Sequence, residues 1–201
     1  MQRQLRQGEG ERTRILTLLA QVCWTLGEIA PADQRLKHYE KGSYYGSLLV
    51  REQPDWADGY YWQAMNLCGV AEVGGAGRAL RLLPVIVQTM KKAAAIDPTL
   101  DQGGPHRILG RIFYEAPAWP FSVGDIHKSL YHLTLAVQIA PHNSTNHLYL
   151  GETLLRLGKE QEAQMELIQV FSSTQHASWP LGLEQDRQEA RRILAQMNQT
   201  P

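Results

Sequence analysis

The stretch STNHLYLGETLLRLGKEQEAQMELIQV, residues 144–170, decides the fold class of this chain. Apolar residues recur every three or four positions in both of its halves, which is typical of amphipathic helices. Gly158 separates the halves and predicts the end of the first helix, because glycine tolerates the left-handed backbone that often closes a helix. Gly151 and Ala163 are small enough for two antiparallel helices to cross closely there. The stretch therefore predicts a pair of packed helices.

The same pair of helices recurs along the chain. Prolines at positions 54, 98 and 141, which are 44 and 43 residues apart, follow similar apolar runs, and a new helical pattern begins after each of them. Residues 144–170 resemble the 34-residue tetratricopeptide repeat, whose helix pairs stack into arrays. We therefore predict an all-α, tetratricopeptide-repeat-like array of about four helix pairs, with inserted loops and a C-terminal capping helix.

The pattern also predicts boundaries. Residues 1–11 are expected to form a flexible N-terminal segment, and residues 12–201 a single helical domain. The units span about residues 12–54, 56–98, 103–141 and 144–175, and the capping helix spans residues 183–197. A polar closing helix is expected because the last helix pair of an array otherwise exposes its apolar face.

The first three units exceed the standard repeat by roughly seven to ten residues each. In the third unit the surplus falls in residues 116–124, where two prolines and a glycine forbid a continuous helix. This segment predicts a structured loop that carries Pro117, Trp119 and Phe121. Asp125 follows directly and is a suitable N-cap for the next helix.

Charge and composition narrow the possible function classes. Twenty basic and twenty acidic residues give a net charge of zero, so no summed field attracts nucleic acid, and no nucleic-acid partner is expected. The basic start and the apolar residues 15–26 are similar to a secretory signal, but the same run fits the first helix of the repeat. We predict that it belongs to the folded protein. Cys23 and Cys68 lie outside any paired-cysteine motif and are expected to be buried free thiols.

Four segments resemble the T component of TRAP transporters. They are YWQAMNL at residues 61–67, GGPHRILGR at 103–111, APAWP at 116–120 and NHLYLGE at 146–152. The resemblance implies a bacterial envelope protein, periplasmic or associated with the outer membrane, that forms a homo-trimer. It further implies a transporter solute-binding component as the partner and a hydrophobic small molecule as the ligand. Because this chain shows no usable signal peptide, a cytoplasmic location is the alternative.

Repeat geometry predicts a binding surface. In helix-pair arrays the first helix of each unit lines the concave face, and its residues here combine aromatics, a methionine and arginines. This composition suits a partly apolar ligand with an anionic end. The candidate site consists of Trp24, Tyr61, Met65, Arg107, Arg111, Tyr114, Leu148 and Glu152, to which the inserted loop adds Pro117, Trp119 and Phe121. Packing against the insertions is the alternative role for several of them, and pairing with Asp101 or Glu115 is the alternative for the two arginines.

Catalytic and metal chemistry have little support in the sequence. No nucleophile, paired-carboxylate or zinc-binding motif is present, and no cofactor is expected. His127 and His132, like His142 and His147, are five residues apart, a spacing that points helical side chains in different directions. We therefore predict a non-enzymatic protein. Two functions remain open: a binding protein like the TRAP T component, or a generic scaffold that takes a peptide or helix of another protein on its concave face.

Overall fold

A computed structural model describes residues 2–174 and 182–198 of the chain. Over these residues it contains nine α-helices and no strand, apart from one isolated bridge between Ala118 and Gly124. The helices are α1 (Gln2–Ile29), α2 (Ala32–Glu52), α3 (Ala57–Val73), α4 (Ala76–Ile96), α5 (Leu100–Glu115), α6 (Ile126–Ile139), α7 (Ser144–Arg156), α8 (Glu160–Ser172) and α9 (Gly182–Met197). The predicted all-α class is confirmed.

The helices belong to two compact units. Unit 1 covers residues 1–97 with α1 to α4, and unit 2 covers residues 98–201 with α5 to α9. Helix α1 begins at Gln2, so most of the segment that the sequence predicts to be flexible is helical in the structure. The single domain over residues 12–201 stays a prediction. None of the helices in the described residues is long and apolar enough to cross a membrane.

Close approach of helices holds unit 1 together. The Tyr39 ring of α2 is fully buried and fills the space left by Gly27 of α1 and Gly69 of α3. Its hydroxyl donates a 2.5 Å hydrogen bond to Glu28 and accepts one from Arg35. Burial and the hydrogen bond to Glu28 raise the pKa of Tyr39 to about 12. The hydroxyl therefore stays a proton donor at neutral pH.

Small residues also mark the helix crossings of unit 2. Gly151 of α7 lies against Leu167 of α8, where an added Cβ would come within 2.8 Å of the leucine side chain. Gly158 has φ of 72° and closes α7, since the amide of Lys159 donates to the carbonyl of Leu154 at 3.0 Å. Both features agree with the prediction from residues 144–170.

The start of α5 departs from a simple repeat. Asp101, Gln102 and Gly103 have left-handed φ angles of 47°, 57° and 79°, which separate the first residues of α5 from its regular part. At Gly103 an added Cβ would come within 3.2 Å of the Ala136 backbone. Only glycine meets both conditions here, because a side chain would be strained at that φ and would press on α6.

Neither Cys23 nor Cys68 forms a disulfide. Cys23 is buried and Cys68 is half-buried. Burial raises the pKa of the Cys23 thiol, which keeps it protonated and less reactive than an exposed cysteine. The predicted burial of Cys68 is thus only partial.

Candidate functional site

A buried arginine organises the interior of unit 2. The Arg107 side chain is 3% exposed, and its Nη2 lies 2.5 Å from Asp101 Oδ2. Its Nη1 donates to Asn146 Oδ1 at 3.2 Å. Asn146 in turn donates to the carbonyls of Ala136, at 2.9 Å, and Gln102, at 3.2 Å. The guanidinium therefore binds groups of its own unit and links the kinked start of α5 to α7.

Arg111, one turn further along α5, is the centre of a partly exposed cluster. Nη1 lies 2.5 Å from Glu152 Oε2, and Nη2 lies 2.7 Å from Glu115 Oε1. The guanidinium also lies over the ring of Tyr149, 4.4 Å from its centroid, and 5.3 Å from that of Tyr114. We call these five residues the Arg111 cluster. It joins α5 to α7 by ion pairs and by cation–π contacts.

Burial sets the protonation of this cluster. It raises the pKa of Glu152 above its ordinary value, against the attraction of Arg111. Burial alone would lower the pKa of Arg111, but the charges of Glu152, Tyr149 and Glu115 raise it on balance. The guanidinium is thus always charged, whereas the Glu152 carboxylate is ionised in unfavourable surroundings. The guanidinium has the fork geometry that binds carboxylates, and Glu152 and Glu115 both occupy it.

The predicted site residues fall into two groups. Arg111, Tyr114 and Glu152 are partly exposed and lie together in unit 2, while Trp24 is half-buried in unit 1, 6.0 Å from Trp62. The others are buried within their own units: Tyr61, Met65, Arg107 and Leu148. The ion pairs of Arg107 with Asp101 and of Arg111 with Glu115, which the sequence left as alternatives, both form. A ligand-binding role for the candidate residues stays a prediction.

The inserted loop between α5 and α6 is structured, as predicted. The amide of Gly124 donates to Pro117 at 2.9 Å, and that of Phe121 to Ala118 at 3.0 Å. Asp125 caps α6 by accepting from the amides of residues 127 and 128, both at 3.1 Å.

The tip of this loop is strongly apolar. Trp119 and Phe121 expose 85% and 82% of their surface, although the backbone that carries them is held by hydrogen bonds. The peptide bond between Trp119 and Pro120 is cis. Pro117, the second residue of the loop, is exposed as well. Hydrogen bonds therefore hold the backbone that carries the aromatics, and the side chains themselves do not contribute to the core.

Sequence reasoning missed a second polar group in unit 2. Asp186 of α9 is buried and accepts hydrogen bonds from Ser144, at 2.6 Å, and Thr145, at 2.9 Å. Asn143 caps α7 and donates to Gln102 at 2.8 Å. The run of four polar residues that starts α7 was the available signal, because polar residues beyond a helix cap need a partner when the helix is buried.

Histidines in unit 2 form short polar contacts. His106 and His132 bring their Nδ1 atoms within 2.9 Å, and burial lowers the pKa of His106. His147 contacts Glu166 at 2.6 Å and the carbonyl of Pro141 at 2.9 Å. Within residues 2–174 and 182–198, no group of three or more His, Cys, Asp or Glu residues lies close enough together to hold a metal ion.

Comparison with known proteins identifies the fold. No protein-family model matches the chain, and no curated protein matches it in sequence. Among solved structures it is similar to the crystal structure of a thermophilic TPR protein of Thermus thermophilus, with a TM-score of 0.54 and 20% sequence identity. The similarity covers 77% of this chain and 74% of that one. The tetratricopeptide-repeat-like fold is thereby confirmed, and the resemblance to the TRAP T component stays a prediction.

Proposed function

We propose that the protein is a non-enzymatic interaction protein whose unit 2 binds a segment of a partner protein. The exposed aromatic loop is the anchor, and the Arg111 cluster supplies the polar contact. The observation that carries this proposal is the exposure of Trp119 and Phe121 on a backbone held by hydrogen bonds.

Exposed aromatics on a fixed loop have the properties of a recognition element. Tryptophan dominates the binding energy of many interfaces because it buries a large area with few rotatable bonds. A loop held by its own hydrogen bonds also loses little conformational entropy on binding. The capped start of α6 and the hydrogen bonds from Gly124 and Phe121 provide this order. An apolar pocket or an apolar helix face on the partner would cover Trp119 and Phe121.

The Arg111 cluster supports the same function through specificity. Glu115 ends α5 and belongs to the cluster, and the loop begins at the next residue. An acidic side chain of the partner could replace Glu152 at the guanidinium, because burial already disfavours the Glu152 carboxylate. Because one ion pair replaces another, the exchange adds little affinity. Its main effect is specificity, since a partner without the acidic side chain cannot make it.

Site-specific photo-crosslinking in the native host tests this proposal. A photoreactive phenylalanine analogue at Phe121 should give one discrete protein adduct, and Trp119→Ala in the same chain should abolish it. The matched control places the analogue at Met165 of α8, which is 62% exposed and lies in the same unit. Equal adducts from both positions, or an adduct that persists in the alanine variant, would contradict recognition by the loop.

A finer proposal is that the protein works as the TRAP T component does. Its partner would be a transporter solute-binding component, its ligand an apolar or amphipathic small molecule, its location the bacterial envelope and its assembly a homo-trimer. The observation that favours it is the role of residues 103–111. Gly103 of this string completes the kink of α5, and Arg107 binds Asp101 within the kink, a contact that a helix-pair repeat does not require.

Two measurements test the finer proposal separately from the general one. Mass spectrometry of the denatured protein should detect a released apolar acid, and added long-chain acids should raise the melting temperature. The adduct from Phe121 should also contain a solute-binding component. An adduct with any other protein, without a bound small molecule, would contradict the finer proposal and leave the general one standing.

A further inference from the structure

Helix α1 carries an apolar surface that nothing in unit 1 covers. Six side chains of the helix each expose between 37% and 59% of their surface. They are Ile15, Leu18, Leu19, Val22, Leu26 and Ile29, and we call them the α1 seam. The neighbouring face of α1, with Leu16, Ala20, Cys23 and Gly27, is buried. Helix α1 therefore has two apolar faces, of which only one contributes to the core of unit 1.

The spacing of the seam is that of a coiled coil. Positions 15, 19, 22, 26 and 29 are separated by four, three, four and three residues. This heptad spacing aligns side chains into a narrow stripe that packs against a second helix with the same repeat. Isolated surface apolar residues need no explanation, but a contiguous patch of several hundred Å² marks an interaction site. The natural occupant of the α1 seam is thus another helix with a heptad seam.

Charges beside the seam select the orientation of that helix. Arg14, Gln21 and Glu28 are exposed and lie seven residues apart, so they follow one edge of the seam. The Tyr39 hydroxyl donates to the Glu28 carboxylate and holds it in place. If a second copy of α1 packs antiparallel, each Arg14 lies beside the other copy's Glu28. In a parallel pair, the edges that carry these charges would lie on opposite sides of the seam, so neither Arg14–Glu28 pair would form.

We propose that the α1 seam binds the α1 seam of a second copy of this chain, in an antiparallel pair with two-fold symmetry. The heptad register then packs Ile15 against Leu26 of the second copy and Leu19 against its Val22. A shallow depression of about 370 Å³, lined in part by Ile15 and Leu19, lies where those partner side chains would enter. A two-fold interface suits a single surface that must complement itself.

The size of the seam agrees with a reversible dimer. A stable specific interface buries about 800 Å² on each partner, and the seam supplies several hundred Å² of that area before the flanking polar residues are added. The pairing uses unit 1 only, does not depend on the partner binding proposed for unit 2, and is an alternative to the homo-trimer of the finer proposal.

Sedimentation velocity over a range of protein concentrations tests the pairing. We expect the native chain to sediment as a dimer at high concentration and as a monomer on dilution. Val22→Glu should raise the dissociation constant about tenfold or more, because it places two charges at the centre of the apolar seam. The matched control is Val85→Glu on α4, since Val85 is 52% exposed against 49% for Val22 and lies outside the seam. Circular dichroism checks that both variants stay folded.

Disulfide trapping tests the orientation. Ile15→Cys chains mixed with Leu26→Cys chains should cross-link to each other, whereas Ile15→Cys alone should not. The unmodified chain is the control for Cys23 and Cys68. A native chain that is monomeric at all concentrations, a trimer, equal effects of the two glutamate variants, or efficient cross-linking of Ile15→Cys to itself would each overturn the antiparallel pairing.

Discussion

The two units pack their helices by different means. In unit 1 backbones approach closely at glycines, and Asn66 is its single buried amide or charged side chain among the described residues. Unit 2 instead buries two sets of polar groups, one around Arg107 and Asn146 and one around Asp186. We therefore expect added side-chain volume to destabilise unit 1 most, and the loss of a polar partner to destabilise unit 2 most.

Breaking the polar network of unit 2 should have the largest effect. Arg107→Met removes the charged donor that binds the Asp101 carboxylate and the Asn146 amide oxygen, which we expect to lower the free energy of unfolding by about 3–5 kcal/mol. Arg12→Met is the control, because it removes the exposed ion pair with Glu52 in unit 1. Solvent screens that pair, so its loss should have a far smaller effect. Urea unfolding measures the free energy of unfolding of both variants. Equal losses would show that the buried network of Arg107 stabilises the fold no more than the exposed ion pair of Arg12.

Adding one methyl group to unit 1 should have an intermediate effect. A Cβ at Gly46 of α2 would lie 2.6 Å from the Gln63 Cα of α3, so the two backbones must separate. We expect Gly46→Ala to lower the free energy of unfolding by about 1–3 kcal/mol.

Gly77→Ala is the matched control for this substitution. Nothing lies within 4 Å of a Cβ at Gly77, and the position is helical. Alanine there should raise the free energy of unfolding by at most about 0.5–1 kcal/mol, the value for the middle of a helix, because Gly77 is the second residue of α4. Hydrogen exchange of the α2 and α3 amides locates the change. Unaltered protection of these helices in Gly46→Ala would contradict close packing as the basis of unit 1.

The smallest expected effect concerns pH and unit 2. Burial alone would lower the pKa of His147, but its hydrogen bonds to Glu166 and Pro141 and the Glu166 charge raise it above the ordinary 6.5. Because the folded pKa is raised, the stabilisation by His147 is complete below about pH 6.5 and is lost as the pH rises through the folded value.

Replacing His147 should therefore flatten this part of the pH profile. His147→Gln is expected to remove a stabilisation of about 1 kcal/mol near pH 6 and less at pH 8. His127→Gln, at an exposed position, is the control. Thermal unfolding between pH 6 and pH 8 measures how stability changes with pH. The same pH dependence in His147→Gln and in the native chain would contradict the role of His147.

Local features of the fold were predictable from the residues themselves. Gly158 closes α7 and Asp125 caps α6 because each acts on neighbours within a few positions. The inserted loop was predictable for the same reason, since its prolines act on their own backbone. The candidate site was predicted less well. Helical periodicity predicts which residues share a face of a helix, but not which other helices pack on that face. Tyr61, Met65 and Leu148 are therefore buried, although the repeat places them on a binding surface.

The sequence by itself determined the helices, their pairing and the tetratricopeptide-repeat-like class, because apolar spacing and small residues at crossings act over one or two helices. Only the tertiary structure decided the partners of the polar and charged groups. Asp186 meets Ser144 across 42 positions, and Arg111 meets Glu152 across 41. Such pairs depend on how helices that are distant in the chain come to lie side by side. The burial that results then sets the protonation of these groups and their accessibility to another protein.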